Sequence, residues 1–261
     1  QHDFELILDF YENLIREKTG RIPDETIHCI LEMYCHSSIY MTVKWVLGEL
    51  ECAPEGLAKI LVDGMPGKLS ELFEKLEQIQ EGDILVLAGS IPNTLPEDIY
   101  ERIMERLAGR KIHIVVDATK DLLLNVLKYH PFLIKPNNHE LGEMFQTTLT
   151  TEEEIIAHAK KLQERGARNV LVSMAKDGAI LVTEDGEIYK KQPQKGTVVN
   201  SVGAGDSMVA GFLAGYLNTG SYERALELGT AAGSATAFQS WLASREDIVK
   251  LLDRPYSEYQ I

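Results

Sequence analysis

Val198-Val199-Asn200-Ser201-Val202-Gly203-Ala204-Gly205-Asp206-Ser207 runs directly into Met208-Val209-Ala210-Gly211-Phe212-Leu213-Ala214-Gly215-Tyr216-Leu217. The stretch predicts the end of a strand, a tight glycine turn and a buried helix rich in small and apolar residues. Glycines let a backbone approach a ligand with no Cβ in the way. Such a turn leaves the first N–H groups of the helix unpaired, with the positive end of the helix dipole behind them. An anion fits there, a phosphate above all. Asp206, in the first helical turn, is placed to take a proton from an attacking hydroxyl. A plain helix cap explains the same four residues.

The whole chain bounds these readings. Its 261 residues suit one large α/β domain or two smaller ones, and 44% apolar and 25% charged residues are ordinary for a globular protein. The net charge is −14, and the first 73 residues carry half of it. Neither part has the basic face that binding a phosphate backbone needs, so nucleic acid is not an expected partner. Cys29, Cys35 and Cys52 match no metal spacing and read as buried thiols of a reducing compartment. No apolar run approaches the ~18 residues of a membrane span, and Asp3, Glu5 and Asp9 argue against a signal peptide. The expected location is the cytoplasm. A first residue of Gln rather than Met suggests a start within a longer gene product.

From about residue 74 short apolar runs alternate with helical periodicity. Strands are predicted at 84–88, 113–117, 132–135 and 169–173, with helices at 96–107, 122–129, 140–145 and 151–165. Alternation of this kind implies parallel βαβ units. Thr151 and Glu154 form a capping box. Glu184-Asp185-Gly186 joins two further short strands as a hairpin, and helices follow at 205–217, 222–238 and 244–252. In such sheets function gathers where strands end at their C-termini. Four loops qualify: Gly89-Ser90-Ile91-Pro92; Asp117-Ala118-Thr119; Lys135-Pro136-Asn137-Asn138-His139-Glu140; and Ser173-Met174-Ala175-Lys176-Asp177-Gly178. Mg²⁺ keeps most of its waters and needs only a few oxygen ligands. Asn137 and Glu140, with Asp117 nearby, suit that role, while a helix cap explains the Asn137–Glu140 pair equally. His139 reads as a solvated bystander. Plain turns account for the first and last loops as well. Gly233-Ser234-Ala235-Thr236-Ala237 has small side chains that suit either the floor of a ligand pocket or close helix packing.

Asn200-Ser201-Val202-Gly203-Ala204-Gly205-Asp206-Ser207-Met208-Val209-Ala210-Gly211-Phe212 resembles the C-terminal signature of the ribokinase-like, phosphofructokinase B family of sugar kinases. Its 1-phosphofructokinase branch is nearest and tagatose-6-phosphate kinases are close behind. The resemblance covers about residues 74–252 and implies the family's α/β fold, a three-layer sheet. It implies ATP-dependent phosphorylation of a sugar phosphate, fructose 1-phosphate giving fructose 1,6-bisphosphate. By the same resemblance Asp206 is the catalytic base, and Gly203, Ala204 and Gly205 form the backbone hole for the transferred phosphoryl group. Asn137-x-x-Glu140 resembles the family's magnesium motif, Lys135 reaches nucleotide phosphate, Ser173 and Gly178 contact nucleotide, and Gly233 opens the adenine floor. Gly89-Ser90-Ile91-Pro92 corresponds to a loop beside the family's active-site cleft. The family's earlier strands, lid and sugar-binding Gly-Gly motif find no match in residues 1–73. Their loss predicts an exposed sheet edge.

Residues 1–73 read as helices throughout, with apolar residues at spacings of three and four, such as Ile27, Ile30, Leu31, Tyr34, Ser38, Met41 and Trp45. A plain bundle core explains that stripe. Val43-Lys44-Trp45-Val46-Leu47-Gly48-Glu49 and the run from Pro54 to Pro66 resemble the C-terminal effector and dimerisation region of TetR-type regulators, over roughly residues 4–73. That resemblance implies a small-molecule pocket or a homodimer interface, without the DNA-binding helices. The expected organisation is therefore a helical segment at 1–73 and the nucleotide-binding half of a sugar kinase at 74–261.

Overall fold

The computed structural model describes residues 72, 75–89, 91, 98–118, 120–192 and 194–259. The helices expected between residues 3 and 71, the three cysteines and most of the regulator-like stretch lie outside the described residues, as do Ser90, Pro92 and Thr119 of the candidate loops. Residues Gln80–Ile261 form one compact unit. Within it a single sheet carries six strands in sequential order: β1 (Ile84–Ala88), β2 (His113–Asp117), β3 (Leu133–Ile134), β4 (Asn169–Ser173), β5 (Ala179–Val182) and β6 (Ile188–Lys191). The first four are parallel, with Leu85 beside Ile114, Val115 beside Leu133 and Leu133 beside Asn169. β4, β5 and β6 are antiparallel.

Helices α1 (Ile99–Arg106), α2 (Lys120–Val126), α3 (Asn138–Met144) and α4 (Glu152–Glu164) connect the parallel strands. α5 (Ala204–Thr219), α6 (Tyr222–Ala237) and the short α7 (Arg245–Val249) follow the hairpin. Val115, Leu133, Leu171 and Leu181 project from one sheet face into a core shared with Val209, Phe212 and Leu213 of α5 and Ala225 and Leu226 of α6. Successive side chains point to opposite faces, yet their neighbours Val116, Ile134, Val170, Val172, Ile180 and Val182 are buried as completely. A sheet buried on both faces needs helices on both, which is the three-layer arrangement expected. The four strands at 84–88, 113–117, 169–173 and 179–182 fall where the apolar runs place them. β3 is shorter than expected because Pro131 and Pro136, which have no N–H to donate, flank it.

Two expectations are corrected. Val198–Val202 does not end a strand. Val198, Val199 and Val202 are exposed, and the segment is instead a loop whose Val199 and Asn200 N–H groups donate to the Ala237 carbonyl at the end of α6. The C-terminal helix expected at 244–252 stops at Val249. β1 is an edge strand, with β2 its one neighbour among the described residues and Val86 42% exposed.

α5 and α6 lie against each other through glycines. A Cβ on Gly211 would stand 2.7 Å from the Leu228 carbonyl and 2.8 Å from Ala232 Cβ. One on Gly229 would meet the Met208 carbonyl at 2.9 Å. That approach fixes where α5 starts, and so where its N-terminus points.

Candidate active site

α5 begins on Gly203, whose φ of 78° lies in the left-handed region that glycine adopts without strain. The turn is held from several sides. Asn200 Oδ1 accepts from the Val202 N–H at 3.0 Å while its Nδ2 donates to the Ser240 carbonyl. Ser207 Oγ pairs with Thr236 Oγ1 at 2.8 Å, and that hydroxyl also accepts from Ala243 N–H. Gly233 sits close beneath: its Cβ would lie 3.0 Å from the Ala204 carbonyl and 3.2 Å from Met208 Cβ. Of the two readings for Gly233, its geometry is that of close helix packing. The Ala204 N–H already donates to the Ser201 carbonyl at 3.2 Å. The N–H groups of Gly203, Gly205 and Asp206 have no partner among the described residues. The open end of the helix is therefore carried by those three amides. Asp206 is exposed beside them.

Directly under the turn lies a buried cation. A Cβ on Gly205 would be 3.3 Å from Lys135 Nζ and 4.0 Å from Asp117 Oδ2. Lys135 and Asp117 are paired at 3.2 Å, with side chains only 8% and 18% exposed. Both come from strand ends. Asp117 closes β2, and Lys135 follows β3, its N–H donating to the Val116 carbonyl. Burial is the main force on Asp117 and raises its pKa. The Lys135 ammonium works against that rise, while the Asp206 and Glu140 carboxylates add to it. Asp117, Glu140 and Asp206 thus share one electrostatic neighbourhood with a single ammonium.

Asn137 and Glu140 form a capping box at the start of α3. Asn137 Oδ1 accepts from Glu140 N–H at 2.8 Å, and Glu140 Oε2 accepts from Asn137 N–H at 2.8 Å. The cap reading is therefore realised, although the carboxylate keeps a second oxygen. Asn137 also bridges to Ser173, whose N–H donates to the Pro136 carbonyl, so the ends of β3 and β4 meet. Gly178 closes the turn after Ser173 with φ 90° and ψ −140°, a conformation only glycine holds comfortably. Gly89, after β1, donates its N–H to the Asp117 carbonyl. The structure thus gathers Asp117, Lys135, Asn137, Glu140, Ser173, Gly178 and Gly203–Asp206 at the C-terminal edge of the parallel strands. No group of three or more His, Cys, Asp or Glu among the described residues is arranged to hold a metal by itself.

Sequence reasoning missed three contributors. Tyr100 on α1 donates its hydroxyl to the Ala88 carbonyl at 2.9 Å and lies close enough to Asp117 for that charge, after burial, to raise its pKa. Trp241 and Leu242 are 78% and 57% exposed, and Leu242 Cδ2 would meet a Cβ on Gly203 at 2.9 Å. Two large apolar residues in the polar run Gln239-Ser240-Trp241-Leu242-Ala243-Ser244 were the available signal. Tyr100 gave none.

The pfkB family carbohydrate kinase model matches residues 64–245, and the chain is a member of that family. It is 50% identical over 180 residues to a 1-phosphofructokinase of Bacillus subtilis, covering 69% of this chain and 59% of that protein. It is 40% identical over 192 residues to a D-tagatose-1-phosphate kinase of Bacillus licheniformis, covering 73% and 62%. The fold matches Escherichia coli phosphofructokinase-2 in complex with substrates and products, with a TM-score of 0.64 and 28% identity over 70% of this chain and 60% of that one. The chain spans about three-fifths of the length of the relatives it matches. The family match begins at residue 64, ahead of the boundary expected at 73/74. Among the described residues no helix is long and apolar enough to cross a membrane.

Proposed function

We propose that this chain carries the nucleotide-binding and phosphoryl-transfer half of an ATP-dependent sugar-phosphate kinase. One observation bears most of the weight: the unpaired amides of Gly203, Gly205 and Asp206 stand over the buried Lys135–Asp117 pair. Backbone donors, a helix dipole and an ammonium then act together on one anion, and their charge is fixed in place before the reaction begins. In this reading the transferred phosphoryl group is held at the turn. Asp206 accepts the proton of the acceptor hydroxyl as its oxygen bonds to phosphorus, and the bond to the ADP oxygen breaks. Exposure gives Asp206 access to an acceptor.

Three carboxylates, Asp117, Glu140 and Asp206, face one ammonium, which leaves negative charge that a divalent cation would offset. The donor set suits Mg²⁺, which takes few protein oxygens and keeps its waters. Asp117, Glu140 and Asn137 would hold it. A bound Mg²⁺ neutralises phosphate oxygens during transfer. Ser173 and Gly178 line the nucleotide side, Gly233 supports the turn from beneath by close packing, and the exposed apolar rim of Val202, Trp241 and Leu242 suits the face of an adenine ring.

The names of the relatives favour a ketose phosphate as acceptor, fructose 1-phosphate first and a tagatose phosphate second. Removing a general base costs about 10²–10⁴-fold in rate. Asp206→Asn should therefore lose that much ADP formation with fructose 1-phosphate and keep its Mg-ATP affinity. A variant with wild-type turnover overturns the assignment. The boundary between the two parts of the chain falls, on this reading, between residues 64 and 80. An effector-binding or dimerising regulator segment at 4–73 and a cytoplasmic setting rest on the sequence alone.

A further inference from the structure

Two loops flank the glycine turn: residues 196–203, which lead into α5, and residues 238–244, which leave α6. Their bases are bonded together. The Ala237 carbonyl accepts from the Val199 N–H at 2.8 Å and from the Asn200 N–H at 3.2 Å. Gly196 leaves room for the Phe238 ring, which a Cβ there would strike. Further out, each loop carries one half of the proposed nucleotide subsite. Gly203, with Gly205 and Asp206 behind it, supplies open amides for phosphate. Trp241 and Leu242 supply an accessible apolar face. The base and phosphates of one nucleotide are covalently joined, so the two halves serve it only if the loops hold a set spacing.

One side chain spans that gap. Asn200 Oδ1 accepts from the Val202 N–H at 3.0 Å, which sets the direction of the chain into Gly203. Asn200 Nδ2 donates at 3.3 Å to the carbonyl of Ser240, the residue before Trp241. These partners fix the amide's orientation, because a backbone N–H only donates and a carbonyl only accepts. The side-chain amide suits both at once. A carboxylate of the same length has no donor, and a hydroxyl is shorter. Thr236, on α6, ties Ser207 to the Ala243 N–H from beneath. Asn200 is therefore the outer of two side-chain crosslinks, and the one next to Trp241.

We propose, building on the nucleotide site above, that Asn200 is a positioning residue that sets the spacing between the phosphate amides and the Trp241–Leu242 face. Holding a loop in its bound arrangement raises affinity, because less ordering is left to be done on binding. A phosphate chain without a base makes no use of that spacing. Asn200 therefore acts on the binding of ATP through Trp241, and not on the binding of tripolyphosphate.

The proposal is tested by calorimetric titration of the full chain with Mg-ATP and, separately, with Mg-tripolyphosphate. Asn200→Ser keeps a hydroxyl that accepts from the N–H two residues on and loses the arm to Ser240. It should weaken Mg-ATP binding about fivefold, the loss of one hydrogen bond, and leave Mg-tripolyphosphate unchanged. Trp241→Ala should show the same split. In a Trp241→Ala background Asn200→Ser should have no further effect on Mg-ATP, because residues that act through one another are not additive. Asn200→Ala drops both bonds and should weaken both ligands. Matching thermal melts establish that the variants are folded. Equal losses for both ligands in Asn200→Ser would make Asn200 a support of the turn alone and overturn the proposal. Unchanged Mg-ATP affinity in Asn200→Ser, or a loss that adds fully to that of Trp241→Ala, would overturn it too. Binding of neither ligand by the unsubstituted chain is a different outcome, in which the nucleotide site itself fails and the role of Asn200 with it.

Discussion

The two ends of the parallel strands balance their charges differently. At the C-terminal end, Asp117, Glu140 and Asp206 surround one ammonium, Lys135. At the N-terminal end, Arg110, Lys128, His130 and Arg168 line a cavity, with Lys128 paired to Glu101 and Arg168 to Glu184. The same strands, β2 and β3, supply both ends. The difference teaches what each end can hold. The acidic end needs added positive charge before it accepts a polyphosphate, whereas at the other end Lys128 and Arg168 are already balanced by Glu101 and Glu184. It also separates their construction. The acidic end is organised by backbone: a left-handed glycine, open amides and strand termini. The basic end is organised by side-chain pairs, with Arg168, Glu184 and the Tyr222 hydroxyl bonded in series.

Substitutions can break this contrast, and the largest effect is expected at Asp206. Asp206→Asn should reduce phosphoryl transfer by about 10²–10⁴-fold, measured as ADP release, with the melting temperature unchanged because the side chain is exposed. Gly211→Val follows. Its new atoms would collide with the Leu228 carbonyl and Ala232, so the chain should lose about 3 kcal/mol of stability in denaturant titrations. Because α6 sets the start of α5, phosphate binding at the turn should weaken with it, while Leu217→Ala on an exposed position of α5 should change neither. Lys135→Met comes third. It removes the ammonium under Gly205 and leaves three carboxylates unbalanced, so nucleotide affinity should fall about tenfold, a cost of roughly 1.4 kcal/mol.

The smallest effect tests the basic end. Burial, then Arg168, lowers the His113 pKa, partly countered by Glu184, and Nδ1 is buried without a partner. The folded state thus binds this proton less readily than the unfolded state. Stability should be complete above about pH 6.5, the unfolded value, and fall as pH drops through it. The partial burial limits this to about a few tenths of a kcal/mol. Thermal melts between pH 5 and 8 should show the slope, and His113→Phe should flatten it. An unchanged slope would assign the pH dependence elsewhere.

Much of the fold was legible because burial on both faces writes itself into sequence as unbroken apolar runs. Asn169–Ser173 and Ala179–Val182 are such runs, and Ile84–Ala88 reads the same way although Val86 is exposed at the edge. The same rule misled at Val198–Val202, where apolar residues stand in an exposed loop tied to the end of α6. Hydropathy does not report whether a partner strand exists. The glycine turn was legible as a phosphate-type site because its chemistry is local. Asn137 and Glu140 stayed ambiguous, since a capping box and a cation site call for the same residues at the same spacing. The buried Lys135–Asp117 pair beneath Gly205 was not legible as a unit, because three separate segments meet there. Nor was the cationic cavity, whose wall draws Arg110, Lys128 and Arg168 from distant stretches.

The most direct test of the turn as a nucleotide-phosphate site is calorimetric titration of Mg-ATP into the full chain and into Gly205→Val, whose bulk would occupy the space above Lys135. Saturable one-to-one binding by the unsubstituted chain, absent without magnesium and lost in Gly205→Val, is the predicted result. No binding, or equal binding by both proteins, would contradict it.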